Sequence, residues 1–123
     1  MKMEKRQYTR IPFWHFVMYR VLRDDQEDKG NYEFGFSKDI SLGGMKFRTN
    51  ERFNTCDRLD MRLYMPGFPN ESDSKYIPLT AKVLRVEKKE KKLYDIAVQF
   101  LDVLEEDRRI ISAFIEVIGS ATS

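Results

Sequence analysis

Apolar and polar residues alternate along this chain with a period of two, run after run, and that rhythm points to strands before helices. Leu59, Met61, Leu63 and Met65 alternate with Asp60, Arg62 and Tyr64 until Pro66 and Gly67 stop the run. Successive strand side chains point to opposite faces, so such a run offers one face to a core and one to solvent. Further β-rich runs fall at 13–23, 32–41, 45–48, 77–87 and 93–101, making six. Turn chemistry separates them: the polar loop at 24–31, a polar excursion at 69–75, and the charged KKEKK at 88–92, which reads as a solvated hairpin tip. In the run at 32–41, Tyr32, Phe34, Phe36 and Ile40 are assigned to the core face. Glu33, Gly35, Ser37, Asp39 and Ser41 are assigned to the opposite, outward face. Gly43 and Gly44 then mark a tight turn or bulge before the next strand.

After the last strand the period changes. Ile111, Phe114, Ile115 and Ile118 fit one face of a helix over 103–118. Asp102 with Glu105 resembles a capping box, Glu105, Glu106 and Asp107 suit the positive end of the helix dipole, and Gly119 is expected to end the helix before a tail at 119–123. Six antiparallel strands and one amphipathic helix predict a mainly β fold, a closed or nearly closed barrel with the helix over one opening. At 123 residues, one domain over 13–118 accounts for the chain beyond a basic arm at 1–12.

Composition narrows the function. The formal charge of +2 is too small for the basic stripe that duplex DNA binding needs, although Lys2, Lys5, Arg6 and Arg10 crowd the first ten residues against Glu4 alone. A small anion suits such a local cluster better. One Cys (Cys56) and one His (His15) exclude an internal disulfide and resemble no structural zinc site, and no pairing of acids stands out for hydrolysis, so no enzyme, metal or cofactor is expected. Unpaired cysteine suggests a reducing, cytoplasmic setting. The apolar stretch at 11–21 contains Pro12, His15 and Arg20, is too short to span a bilayer and has no signal-cleavage site.

Two short patterns carry the functional reading. Arg6-Gln7-Tyr8-Thr9-Arg10 sets two arginines four apart, and Asp39-Ile40-Ser41-Leu42-Gly43-Gly44 follows at the end of the second β-run. Each alone is weak: the first reads equally as a solvated basic tail, the second as a strand running into a turn in which Asp39 and Ser41 satisfy local donors and Gly44 supplies a positive φ. Together, in this order and inside this succession of strands and helix, they are similar to the RxxxR and (D/N)xSxxG signatures of the PilZ family. Tyr94 to Phe100 (YDIAVQF) and the terminal helix extend the resemblance over nearly all of 5–118.

That resemblance implies a six-stranded PilZ-type split barrel and a receptor for cyclic di-GMP. Arg6 and Arg10 would grip phosphate and guanine, while Asp39, Ser41 and Gly44 surround one guanine, with Gly43 assisting the turn and Lys5 a possible extra contact. The chemistry fits the ligand. A guanidinium fork matches phosphate or guanine O6 and N7, and the donor-rich Watson–Crick edge of guanine calls for a carboxylate such as that of Asp39. Trp14 and His15 read as packing residues rather than ligand contacts. The resemblance further implies an arm that changes conformation on binding and control of an unidentified effector protein, in motility, exopolysaccharide or biofilm output, by a monomer or homodimer. The rivals are a ligand-independent PilZ-like adaptor for protein–protein interaction and a barrel for single-stranded nucleic acid, the latter opposed by the near-neutral charge.

Overall fold

In the run at 58–65 the alternation is realised residue by residue: Leu59, Met61, Leu63 and Met65 are buried, and Asp60, Arg62 and Tyr64 lie between them partly exposed. The computed structural model describes residues 11–12, 15–22, 31–65 and 76–122. Seven strands are present: β1 (Ile11–Pro12), β2 (Phe16–Leu22), β3 (Glu33–Ile40), β4 (Gly44–Thr49), β5 (Arg58–Tyr64), β6 (Tyr76–Glu90) and β7 (Leu93–Val103). One helix follows, α1 (Glu105–Thr122).

Every pairing is antiparallel, in the order β1-β3-β2-β5-β6-β7-β4, and a further β3–β4 ladder closes β2 to β7 into a six-stranded barrel. Closure leaves no unpaired edge among the six, and β1 adds a short seventh strand against the end of β3. Val17, Tyr19, Ile40, Met45, Phe47, Leu59, Met61, Leu63, Val83, Ile96 and Val98 fill the interior, and Ile111 and Phe114 of α1 belong to the same cluster. Burial of a large apolar side chain is worth about 1.5–3 kcal/mol, so this cluster dominates stability. The Tyr19 hydroxyl shares a 2.6 Å hydrogen bond with Thr49 Oγ1 and donates to Glu51 Oε1, which satisfies it in the core.

The face assignment for β3 is corrected. Phe34 and Phe36 are 62% and 54% exposed, whereas Gly35 and Ser37 are buried. The cause is steric. The inward side of β3 meets the Phe47 ring and the Arg48 carbonyl so closely that a Cβ on Gly35 would sit 2.8 Å from that oxygen, so large side chains are forced out. A bulge then resets the count: Ser37 pairs with Phe47 and Asp39 with Lys46, leaving Lys38 as the extra residue. Ile40 is thereby buried although it is separated from Phe36 by an even number of positions.

Three boundaries also differ from expectation. β6 runs through Glu90, so the turn tightens to Lys91–Lys92, with Lys92 at φ 61°. β7 continues to Val103, paired with Leu79, so Asp102 lies in a ladder and cannot cap α1; the first helical bond runs from Arg108 N to the Leu104 carbonyl. The helix passes through Gly119 to Thr122, because glycine only weakens a helix, by about 1 kcal/mol, unless the backbone turns left-handed there.

Candidate functional site

β3 ends where β1 meets it. Ile11 pairs with Ile40 and Pro12 with Asp39, while on the other side Asp39 pairs with Lys46 of β4. Asp39 is thus flanked by the chain segment arriving from the N-terminus and by a cation. It is half-buried and bears on the outer side of the ladder.

Ser41 departs from its expected outward position. It is buried, its amide donates to the Gly44 carbonyl at 2.8 Å, its hydroxyl donates to the same carbonyl at 3.3 Å, and Gly43 N donates to Ser41 Oγ at 3.3 Å. The hydroxyl therefore shapes the 41–44 turn from inside. Phe100 N donates to the Gly43 carbonyl at 2.9 Å and locks that turn to β7. Gly44 is explained by packing rather than by a positive φ: a Cβ there would lie 2.2 Å from the Val98 carbonyl oxygen. Asp39, Ser41, Gly43 and Gly44 thus form one rigid corner between β3, β4 and β7. Lys5, Arg6 and Arg10, with Trp14, lie outside the described residues. Arg10 immediately precedes in sequence Ile11, the residue paired with Ile40.

Beside this corner the outer face is rich in cations that sequence reasoning missed. Asp95 of β7 is almost wholly buried, yet it accepts from Arg48 Nε at 2.8 Å, from Arg48 Nη2 at 3.3 Å and from Lys38 Nζ at 3.3 Å. Burial alone would raise its carboxyl, but the hydrogen bonds and charges of Arg48 and Lys38 outweigh that and hold it below the ordinary value. Lys46 Nζ is 3.8 Å from Glu87, which also meets Arg85 and Lys89 at 3.3 Å. The signal was available: Lys46 and Arg48 alternate with Met45 and Phe47 and so had to face out once the latter were placed in the core.

His15 ties the start of β2 to the rest. Its amide donates to Ser37 Oγ, its carbonyl accepts from Ser37 N and Oγ, and its ring lies edge-on to Tyr64 and Phe114, 6.5 and 6.3 Å between centroids. Burial lowers its pKa. The expected structural role suits these contacts. Among the described residues, no three His, Cys, Asp or Glu side chains gather as they would around a metal ion, and no helix is long and apolar enough to cross a membrane.

A closed six-stranded barrel whose third strand ends in an Asp-x-Ser-x-x-Gly corner defines a small mainly β domain, and a comparison with known families makes the assignment specific. The PilZ domain model matches residues 4–117, and the chain belongs to the PilZ domain family. No curated protein sequence matches it. Among solved structures, the Bacillus subtilis inhibitor of motility (MotI/DgrA) superposes with a TM-score of 0.75 at 17% identity, over 98% of this chain and 54% of that one. Escherichia coli YcgR in complex with c-di-GMP gives 0.71 at 16% identity, over 97% and 48%. The isolated PilZ domain of YcgR with c-di-GMP gives 0.65 at 18% identity, over 98% and 99%. The chain spans about half the length of the first two structures and matches the last across almost its whole length.

Proposed function

We propose that this domain is a cyclic di-GMP receptor that catalyses no reaction and controls a partner protein from the cytoplasm. The observation that carries the reading is the β1–β3 register. It brings Ile11 and Pro12, which directly follow Arg10 in the sequence, to the strand that ends in Asp39 and the Ser41–Gly44 corner. Arginine forks supply the phosphate and Hoogsteen-edge contacts, and the Asp39 carboxylate accepts from the Watson–Crick edge of a guanine. Ser41, Gly43 and Gly44 contribute by fixing the corner that presents Asp39, and Lys46 across the ladder adds positive potential for a phosphate. Family membership and the c-di-GMP complexes among the similar structures support this reading.

On binding, the arm is drawn onto the barrel, because one ligand then bridges Arg6 and Arg10 to Asp39 and neutralises the repulsion among the basic residues. The partner reads the altered surface. Titration calorimetry of the purified chain with cyclic di-GMP tests the reading and gives affinity and molar ratio together; absence of binding at high ligand excess overturns it and leaves the adaptor role. Trypsin adds the arm: cleavage after Lys5, Arg6 or Arg10 slows with ligand, whereas cleavage at Lys91 and Lys92 does not. Equal protection in both states would refute the movement but not the binding.

A further inference from the structure

The outer face of β2, β3, β5 and β6 carries an aromatic surface that the ligand reading does not use. Phe16, Phe34 and Phe36 are each more than half exposed, 51%, 62% and 54%, and Tyr76 is 38% exposed. The ladders gather them. Phe16 pairs with Phe36, Met18 with Phe34 and Tyr64 with Tyr76. Phe16, Met18, Phe34, Tyr64 and Tyr76 line an open concavity of about 300 Å³, large enough for one apolar side chain of a partner. Isolated exposed apolar residues need no explanation, but three large ones around a hollow with Phe36 beside them do.

One border of this patch is basic. Phe36 pairs with Arg48, which pairs with Asp95, so the aromatic row runs directly into the cation-rich part of the barrel. There Lys38, Lys46, Arg48, Arg85 and Lys89 outnumber Asp95 and Glu87, which they meet in ion pairs, together with Asp39 opposite Lys46 and Glu90, whose charge acts on Arg48, five positive charges to four negative among the described residues.

We infer that this face is a docking surface for a partner protein segment that inserts an aromatic or aliphatic anchor into the hollow and lays acidic residues against the Lys38–Lys46–Arg48 border. Charge complementarity selects this occupant. A second copy would set the same excess of positive charge against itself, since a two-fold interface repeats one patch on both sides. Single-stranded nucleic acid would use flat rings as platforms, but Phe16 meets Phe34 at 83° and Phe36 at 37°, so the rings occupy one another's faces and edges. Strand addition is excluded too, because β2, β3, β5 and β6 each have strand neighbours on both sides. The occupant therefore binds through side chains, as an amphipathic helix does. Crossing the three inter-strand spacings from β3 to β6 spans about 14 Å, or about ten helical residues.

The surface names the kind of partner the proposed receptor would control and rests on that reading only for its biological sense. The test is selection from a random peptide library displayed on phage against the immobilised full chain, with the selected peptides then measured in solution against the parent and against Phe34→Ser and Phe36→Ser. Both positions are exposed, so the variants fold, which melting curves verify; Lys46→Glu provides a variant outside the aromatic cluster. The expected result is peptides combining an apolar anchor with Asp or Glu, affinity lost by about tenfold or more in either Phe variant, a weaker loss in Lys46→Glu, and binding that declines with added salt. Failure to select peptides of this composition, or peptides indifferent to all three variants, overturns the inference. So does a dimer that either Phe variant dissociates, or oligothymidylate that binds here more tightly than any peptide. Calorimetry with cyclic di-GMP on Phe34→Ser separates the two readings, because loss of peptide binding with retained dinucleotide binding leaves both standing, and dinucleotide failure in the parent removes the receptor reading alone.

Discussion

Gly44→Ala puts the 41–44 corner to its hardest test. The added Cβ would lie 2.2 Å from the Val98 carbonyl oxygen and 3.3 Å from its carbon. Ordinary contact begins at 3.4 Å, so β4 and β7 must part by about 1 Å at a point where Gly44 pairs with Gln99 and Phe100 N donates to the Gly43 carbonyl. Overpacking of this kind costs about 1–3 kcal/mol, and weakening one neighbouring backbone bond adds about 1 kcal/mol, so the total is about 2–4 kcal/mol. For 123 residues, an unfolding entropy of about 2.1 cal/mol/K per residue converts this to a melting temperature lowered by about 8–16 °C. Differential scanning calorimetry without ligand measures it. Gly35→Ala, whose nearest approach is the milder 2.8 Å to the Arg48 carbonyl, should lose less. If Gly44→Ala melts within about 4 °C of the parent, or if Gly35→Ala is the worse variant, the packing explanation of the motif glycine is wrong.

Arg10→Ala and Asp39→Ala should each weaken cyclic di-GMP by more than about tenfold in calorimetry, since a charge-assisted hydrogen bond is worth about 1.5–3 kcal/mol; parent-like binding by folded variants would move the site elsewhere. Cyclic di-GMP should raise the melting temperature and GMP should do far less, and an unchanged curve at high excess would contradict selective binding to the folded state. Asp95 has a lowered carboxyl pKa in the fold, so its stabilisation is full above the ordinary carboxylate value of about 4 and is lost as pH falls through its folded value. Urea midpoints of Asp95→Asn should accordingly lie below the parent's at neutral pH and converge with them in acid; parallel pH profiles would refute this.

The barrel was legible because its strands are short and their alternation strict: Leu59 to Met65 needed only the period of two. The same rule misplaced Phe34 and Phe36. Two alternating sets were available in β3, one large and one small, and hydrophobicity chose the large one, whereas the Phe47 ring on the neighbouring strand leaves room only for Gly35 and Ser37. A cross-strand clash is invisible to local pattern. Asp39 keeps the outward side that the alternation assigned it, whereas Ser41, assigned to the same face, is turned inward by its hydrogen bonds, and Gly44, expected to supply a positive φ, answers instead a close approach of Val98. The Asp102–Glu105 capping box failed for a similar reason, because ladder pairing to Thr80 holds Asp102 in the sheet.

Lys38, the unpaired residue of the β3 bulge, acts as a half-period phase shift along a single strand. Upstream of it the odd positions are inside; downstream the even one, Ile40, is. The same sequence paired without a bulge would have to choose between showing Phe34 and Phe36 to solvent and burying Ile40. With it, the aromatic stretch and the Asp39 corner obey separate rules of inside and out, so substitutions can retune one without inverting the other. Deleting Lys38 would let Gly35, Ser37 and Ile40 alternate inward without a bulge, keeping both halves in phase while removing the Lys38–Asp95 ion pair.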